Sequence, residues 1–261
     1  MKCSHALSFC TSFAVVAVAQ QYADHANTAI TTLQNAYNGE SGLWKGAATD
    51  LWWQSGNIVE MLARFGQADG TFKQTAADII ADTYAKSPNR QGAHDWKNDY
   101  YDDMGWWALG WIAAYDLTGN QQYLKTAEDI FTDMSGGWST SCKAGGIWWD
   151  VPKKSISSIS NELFLSTAAH LANRVGDKKK DYVNWARMEW DWFWGMGIID
   201  NDSLAHDGLD KSTCQPNGDT IFTYNQGPIL SGLSELAKAT SDGGFIAVST
   251  IHSAALIVLM L

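Results

Sequence analysis

Apolar positions recur every three or four residues along most of the chain, and two kinds of helical segment alternate. In the first kind a single stripe is apolar. It runs through Tyr22, Ala26, Ile30, Leu33 and Tyr37; then Phe72, Ala76, Ile79 and Thr83; then Tyr123, Ala127, Ile130 and Met134; then Tyr182, Trp185, Met188 and Trp192. That spacing predicts helices with one buried and one wet face. The second kind is apolar nearly all round. Residues 51–65, 104–117, 163–175 and 228–239 carry few charges and many small residues, which predicts helices buried on both sides.

The two kinds take turns at a coarse period of about 50 to 60 residues. Asp50, Asp103, Asn161 and Asn225 stand at or near the starts of the dry helices, and Gly66, Gly119 and Gly176 read as the turns that end three of them. An outer wet-faced helix followed by an inner dry one, repeated, describes an all-α protein of the α/α toroid type. Inner helices then ring an axis, and their leading ends gather polar residues around one cleft. Stacked helical hairpins would give the same periodicity. About four helix pairs are legible, over residues 20–242, whereas a closed six-pair ring at this repeat needs roughly 330 residues or more. The expectation is therefore an incomplete toroid.

The two ends read differently. Lys2, the small apolar run from Ala6 to Val18, and Ala17-Val18-Ala19 form a secretory signal over 1–19, with a short buried helix as the alternative. From Gly243 to Leu261 there is no charged residue. This apolar tail, 243–261, admits three readings. It is a lipid-anchor signal with its small-residue site at 241–243 or 242–244, a weak membrane span, or a stretch that has run off its proper reading frame. The absence of a polar spacer over 245–248 favours the last.

Removing the leader takes Cys3 and Cys10 with it and leaves Cys142 and Cys214 in an oxidising compartment. One disulfide closing a loop of about 70 residues is expected, worth a few kcal/mol; two buried thiols are the alternative. Asn201-Asp202-Ser203 is an N-glycosylation sequon, expected in a loop. Together these describe a secreted or cell-surface glycoprotein.

Composition narrows the partners. A formal net charge of −10 repels nucleic acid phosphates. With 46% apolar and 18% charged residues, the chain is neither disordered nor a coiled coil. Fourteen tryptophans stand out, and their flat apolar faces suit sugar rings, so carbohydrate is the first substrate class to test. There is no HExxH, paired CxxC, GxSxG or P-loop. Gly195-Met196-Gly197 follows an aromatic helix rather than a strand, so the dinucleotide fingerprint fails. Asp95, Asp99, Asp102 and Asp103 lack the spacing of a calcium loop. No metal and no cofactor are expected.

Asp102 and Asp103 attract attention as a pair before the driest helix. Two carboxylates at a helix start can serve as nucleophile and acid/base for glycoside cleavage. A retaining mechanism wants carboxyl groups about 5 to 5.5 Å apart, a gap that adjacent residues with diverging rotamers span. Mutual repulsion would raise one pKa and keep that group protonated. The competing role is N-terminal capping and dipole matching. Trp148 and Trp149 follow a flexible Gly145-Gly146 and either stack on sugar or join the core. Trp53, Trp106 and Tyr224, near inner-helix starts, face the same choice. Asn225 and Gln226 either donate to sugar hydroxyls or cap the fourth inner helix. Trp185, Trp190, Trp192 and Trp194 crowd an outer helix and read as packing.

The string Tyr100-Tyr101-Asp102-Asp103-Met104-Gly105-Trp106-Trp107-Ala108 resembles the Asp-Asp motif of glycoside hydrolase family 76, the α-1,6-mannanases and their fungal cell-wall relatives. Three more stretches resemble the family in its own order. They are Asp50-Leu51-Trp52-Trp53, Gly145-Gly146-Ile147-Trp148-Trp149 and Thr223-Tyr224-Asn225-Gln226-Gly227. The resemblance implies an (α/α)6 toroid, with Asp102 as nucleophile and Asp103 as general acid/base of a retaining endo-α-1,6-mannosidase. For fungal members it implies transfer of the mannose-containing glycan of lipid-anchored proteins onto wall glucan. Asp50, Trp53, Tyr101, Trp106, Trp148, Trp149, Tyr224, Asn225 and Gln226 are the substrate-binding positions it puts forward. The implied partner is α-1,6-linked mannan or a lipid-anchor glycan. The family continues for two more helix pairs where this sequence departs from it. The second reading is therefore a truncated, inactive mannan-binding protein that keeps the aromatic cleft.

Overall fold

A computed structural model describes residues 21–218, 220–250 and 253. The leader read at 1–19 and the last residues of the apolar tail lie outside them. The chain divides into two compact units, with the boundary between Leu51 and Trp52. No described helix is long and apolar enough to cross a membrane.

The first unit holds helix α1, over 21–34, and a three-stranded antiparallel sheet. Its strands are β1 (Tyr37–Asn38), β2 (Leu43–Lys45) and β3 (Asp50–Leu51), with Trp44 opposite both Tyr37 and Leu51. Leu43 and Trp44 are buried, and the Tyr37 ring stands edge-on to Trp44 at 4.9 Å. Of the stripe predicted on α1, Ile30 is buried, whereas Tyr22 is 70% exposed. Tyr37 belongs to a strand, not to the helix.

The second unit alternates inner and outer helices. The inner set is α2 (Trp52–Ala68), α4 (Tyr101–Thr118), α6 (Ser158–Ala172) and α8 (Gly227–Thr240). The outer set is α3 (Lys73–Lys86), α5 (Gln121–Ser135) and α7 (Lys179–Gly195). Each inner helix packs on the next inner one, and each outer helix packs on the inner helices before and after it. That order is the α/α toroid arrangement. Residues 244–250 are again helical. A small sheet, β4 (Ile156–Ser157), β5 (Gly208–Leu209) and β6 (Pro216–Asn217), pairs antiparallel beside the start of α6.

The inner helices approach closely because they carry small residues at their crossings. A Cβ on Gly110 of α4 would meet the Gly56 carbonyl of α2. On α4, Met104, Trp107, Ala108, Trp111, Ile112 and Ala113 are all fully buried, as an all-round apolar helix requires. The Trp107 and Trp111 rings stack at 5.4 Å, and Trp96 and Tyr84 close over them.

Three details of the sequence reading change. Gly119, left-handed at φ 74, does end α4, but Gly66 lies buried inside α2, and Gly176 opens a 3-10 turn after α6 has stopped at Ala172. On α3 the buried position is Ile80 rather than Ile79, following Ala76 by one turn. On α7 the buried stripe is Tyr182, Ala186, Glu189, Trp190 and Phe193, with Trp192 beside it. Met188 is therefore exposed and Trp194 is 54% exposed, so Trp194 does not pack in the core.

Cys142 and Cys214 are bonded, with Cα atoms 5.4 Å apart, and join the loops before β4 and after β5. At the trailing ends of the inner helices, Arg174 bonds Asp116 of α4 through both carboxylate oxygens, at 2.8 and 2.6 Å. It also reaches Glu235 of α8 at 3.0 Å. This fork-to-carboxylate geometry ties three inner helices together at the end opposite the cavity described next.

Candidate active site

The site is assembled at the leading ends of the inner helices. Tyr100 is extended, at φ −122, and α4 begins without a side-chain cap. Instead the backbone on either side is paired with another loop. The Tyr101 N–H donates to the Trp149 carbonyl at 3.0 Å, and the Val151 N–H to the Asp99 carbonyl at 2.9 Å. This pairing sets Trp149 beside Asp102 and Asp103 in the first turn of α4. Asn161 of α6 fixes the same loop from below. Its Oδ1 accepts from the Ile147 N–H at 2.7 Å, and its Nδ2 donates to the Ile147 carbonyl at 3.0 Å and the Ser157 carbonyl at 2.7 Å.

A cavity of roughly 760 Å³ opens there, lined wholly by the second unit. Asp102 and Asp103 lie in its wall with Trp53 and Asn57 of α2, Trp106 of α4, and Trp149 and Ser155 of the 147–155 loop. Ile156, Ser157 and Ile159, then Asp207, Asn217 and Tyr224, complete it. The aromatic members come in pairs. Trp53 and Trp106 stack at 6.2 Å, Tyr100 tilts against Trp149 at 4.9 Å, and Phe222 lies nearly parallel to Tyr224 at 5.1 Å. The Tyr224 hydroxyl donates to Asp207 Oδ1 at 2.7 Å, and Asn225 Nδ2 donates to the same oxygen at 2.9 Å.

Burial dominates the electrostatics of the pair. It pushes the Asp103 carboxyl up to about 6; the hydrogen bond from Asn98 Nδ2, 2.8 Å from Oδ2, works against the rise, and the Asp102 charge adds to it. Asp102 is also raised by burial, with the Trp149 indole and the first-turn N–H groups opposing. Its Oδ1 accepts no hydrogen bond. Burial likewise raises Tyr224, and Asp207 as hydrogen-bond acceptor and as charge adds to it. A carboxyl at about 6 keeps its proton in mildly acidic solution, as a general acid requires, and Asp102 beside it presents an oxygen that accepts no hydrogen bond. Among the described residues, no group of three or more His, Cys, Asp or Glu side chains is arranged to hold a metal ion.

The structure brings together Asp102, Asp103, Trp53, Trp106, Trp149 and Tyr224. Of the other expected residues of the second unit, none lines the cavity. Asp50 belongs to the first unit, where its carboxylate accepts from Asn38 Nδ2 at 3.2 and 3.3 Å. Tyr101 is buried. Trp148 is buried too, with its indole N–H donating to the Ser139 carbonyl at 3.1 Å. Gln226 holds the N-cap position of α8 but its side chain makes no cap bond there, and it does not line the cavity. Its amide brackets Ala205, accepting from the N–H and donating to the carbonyl, both at 2.9 Å. Asn225 is fully buried behind Asp207. Gly145 and Gly146 are not a flexible lead into Trp148. Trp192 lies flat against both, and a Cβ on either would overlap its ring. Asn201 sits in an exposed turn.

Reading the sequence missed Asn57, Asn98, Asp207 and Asn217. Asn57 carried a signal, since it follows Trp53 by four residues and shares its helix face. Asp207 carried none, because it reaches the cavity through the pairing of β5 with β4.

Helix order, acidic pair and paired aromatics define an α/α-toroid protein whose cavity opens at the inner-helix leading ends. The glycosyl hydrolase family 76 model matches residues 21–246. The chain belongs to glycosyl hydrolase family 76. It is similar to the mannan endo-1,6-α-mannosidase DCW1 of Candida albicans, 27% identical over 155 residues, which are 54% of this chain and 34% of that protein. The enzyme of the same name from Eremothecium gossypii is 23% identical over 233 residues, 81% of this chain and 51% of its own. The chain thus spans about half or less of these curated relatives. Among solved structures, the GH76A α-1,6-mannanase of Salegentibacter sp. HEL1_6 superposes with a TM-score of 0.75 at 23% identity. That match covers 86% of this chain and 67% of the mannanase.

Proposed function

We propose that the protein is a retaining endo-α-1,6-mannosidase or transglycosidase acting on α-1,6-linked mannan or on mannose-containing cell-wall glycans. One observation carries this reading: consecutive carboxyls in the first turn of α4, inside an aromatic cavity, with the second raised to about 6. Asp102 attacks the anomeric carbon while Asp103 gives its proton to the departing glycosidic oxygen, so the C–O bond breaks and a glycosyl ester forms. Asp103, now ionised, takes a proton from water or from an acceptor hydroxyl, whose oxygen displaces Asp102. Water gives hydrolysis, and a sugar hydroxyl gives transfer. Trp53, Trp106, Trp149 and Tyr224 supply the faces on which mannose units stack, and Asn57, Asp207 and Asn217 supply polar partners for their hydroxyls.

The names of the relatives support the substrate class. The Salegentibacter mannanase is known with α-1,6-mannotetrose in an inactive form altered at two consecutive aspartates. The disulfide and the exposed Asn201 sequon support an extracellular or cell-wall setting. A lipid-anchor glycan as donor belongs to the same proposal.

The test is turnover of α-1,6-mannan, read as new reducing ends, by the wild type and by Asp102→Asn and Asp103→Asn. Loss of at least a hundredfold in both variants is expected. Variants as fast as the wild type would overturn the assignment. Tight mannan binding by the wild type without any product would instead establish the binding-protein reading.

A further inference from the structure

One buried carboxyl beside the cavity has no part in the scheme above. Glu162 lies on α6, one residue beyond Asn161, and is fully buried. Neither of its oxygens has a hydrogen-bond partner. An ionised carboxylate so placed is strongly disfavoured, and burial and the Asp207 charge both push Glu162 well above the usual carboxylate range. The Ile229 N–H, at the start of α8, is close to the carboxyl without meeting hydrogen-bond geometry and offsets this only in part. The site therefore favours the uncharged form of Glu162, which carries a proton to donate.

A matching acceptor stands on the next element. Helix α6 packs against the 3-10 turn Thr223–Asn225. Asn225 is also fully buried, and its Oδ1 accepts nothing. Its Nδ2 is committed to Asp207 Oδ1 at 2.9 Å, the oxygen that also receives the Tyr224 hydroxyl. Two orphaned buried groups, one a donor and one an acceptor, thus back the same wall of the cavity. Leaving both unpaired would cost about 1–3 kcal/mol each.

We propose that Glu162 is a positioning residue of the site: as the neutral acid it donates to Asn225 Oδ1 and so holds the Asn225 amide on Asp207. Asp207 and Tyr224 are then fixed in the cavity wall by a relay that begins outside it. The kinetic consequence rests on the mannosidase reading; the relay itself does not.

Two substitutions separate the roles. Glu162→Gln keeps the shape and an N–H donor. Glu162→Leu keeps the volume and removes the donor. On α-1,6-mannan, Gln is expected within twofold of the wild type. Leu is expected to lose about five- to tenfold in kcat/KM, mostly in KM, the equivalent of one neutral hydrogen bond. Its melting temperature should fall below that of Gln, since Leu leaves the buried Asn225 Oδ1 without a donor. Side-chain amide exchange of Asn225, followed by nitrogen-15 NMR and assigned by its disappearance in Asn225→Asp, gives a readout that needs no substrate. Protection in the wild type and in Gln, lost in Leu, is expected. Protection retained in Leu, or lost equally in Gln and Leu, overturns the relay. A wild type that leaves mannan untouched overturns the proposed function alone, and the amide readout still decides this inference.

Discussion

Asn98→Ala tests whether Asp103 is the proton donor, because it moves one pKa without touching either carboxylate. In the wild type the Asn98 amide donates to Asp103 Oδ2 at 2.8 Å and stabilises the ionised form, holding the group down to about 6 against burial. A hydrogen bond to a charged group is worth about 1.5–3 kcal/mol, and Asn98 is half-exposed, so water recovers part of it and the lower end applies. At about 1.4 kcal/mol per tenfold in the ionisation constant, its removal raises Asp103 from about 6 to about 7. The acid must be protonated for the glycosidic oxygen to leave. The alkaline limb of kcat/KM therefore falls through about pH 6 in the wild type and through about pH 7 in Asn98→Ala. Initial rates on α-1,6-mannan between pH 4 and 9 give both limbs. A limb that stays in place, or moves to lower pH, would refute Asp103 as the group that titrates. With Asp103→Asn the limb should vanish along with most of the rate.

Three further outcomes concern the fold. Asp103→Asn should stabilise the protein at pH 8 and leave it unchanged at pH 3, since the penalty on the ionised form is absent below the ordinary value of 3.8 and complete above about 6. Denaturant titrations at the two pH values should differ by at most roughly 3 kcal/mol, less because the group faces the cavity. Replacing Cys142 and Cys214 together by Ser releases a loop closed over 72 residues; chain entropy predicts a loss of about 4 kcal/mol, and an unchanged midpoint would contradict it. Gly146→Ala puts a Cβ into the Trp192 ring at a backbone φ of 67, so a loss of about 2–4 kcal/mol in thermal unfolding is expected, and a neutral effect would mean that Trp192 moves freely.

Inner and outer helices were legible because burial on two sides and burial on one side leave different patterns of apolar residues. Met104 to Leu117 is apolar on every face, and the helix is buried on nearly every face. Boundaries were less legible. Gly66 reads as a stop, but in α2 it is a place where α3 and Leu117 come close, and periodicity cannot tell a turn from a crossing. The α7 stripe held at Tyr182 and Trp192 and missed at Met188 for another reason. Met188 satisfies a three-or-four rule, yet the 3.6-residue turn carries the buried face through Ala186, Glu189 and Phe193 and leaves Met188 outside it. Of the site, the residues on α4 and α2 were readable from their place at helix starts. Asp207 and Asn217 were not, because they reach the cavity only through the strand pairing of β4, β5 and β6.

The position of the acid pair poses a question of sign. The N-terminus of α4 favours ionised carboxylates by up to about 2 kcal/mol, and Asn98 adds a charge-assisted hydrogen bond in the same direction. Asp103 nevertheless lies above its ordinary value, at about 6, a net effect of roughly 3 kcal/mol toward the neutral form. Desolvation, with some help from Asp102, must therefore outweigh dipole and hydrogen bond together. Trp106, Trp149 and Ile159 share the cavity wall with the pair and present apolar surface beside it. The surfaces proposed to stack on mannose are thus the ones that keep the proton on Asp103. A sugar filling the cavity removes the remaining water and raises the acid further, so the group is most firmly protonated when a glycosidic oxygen is present to receive the proton.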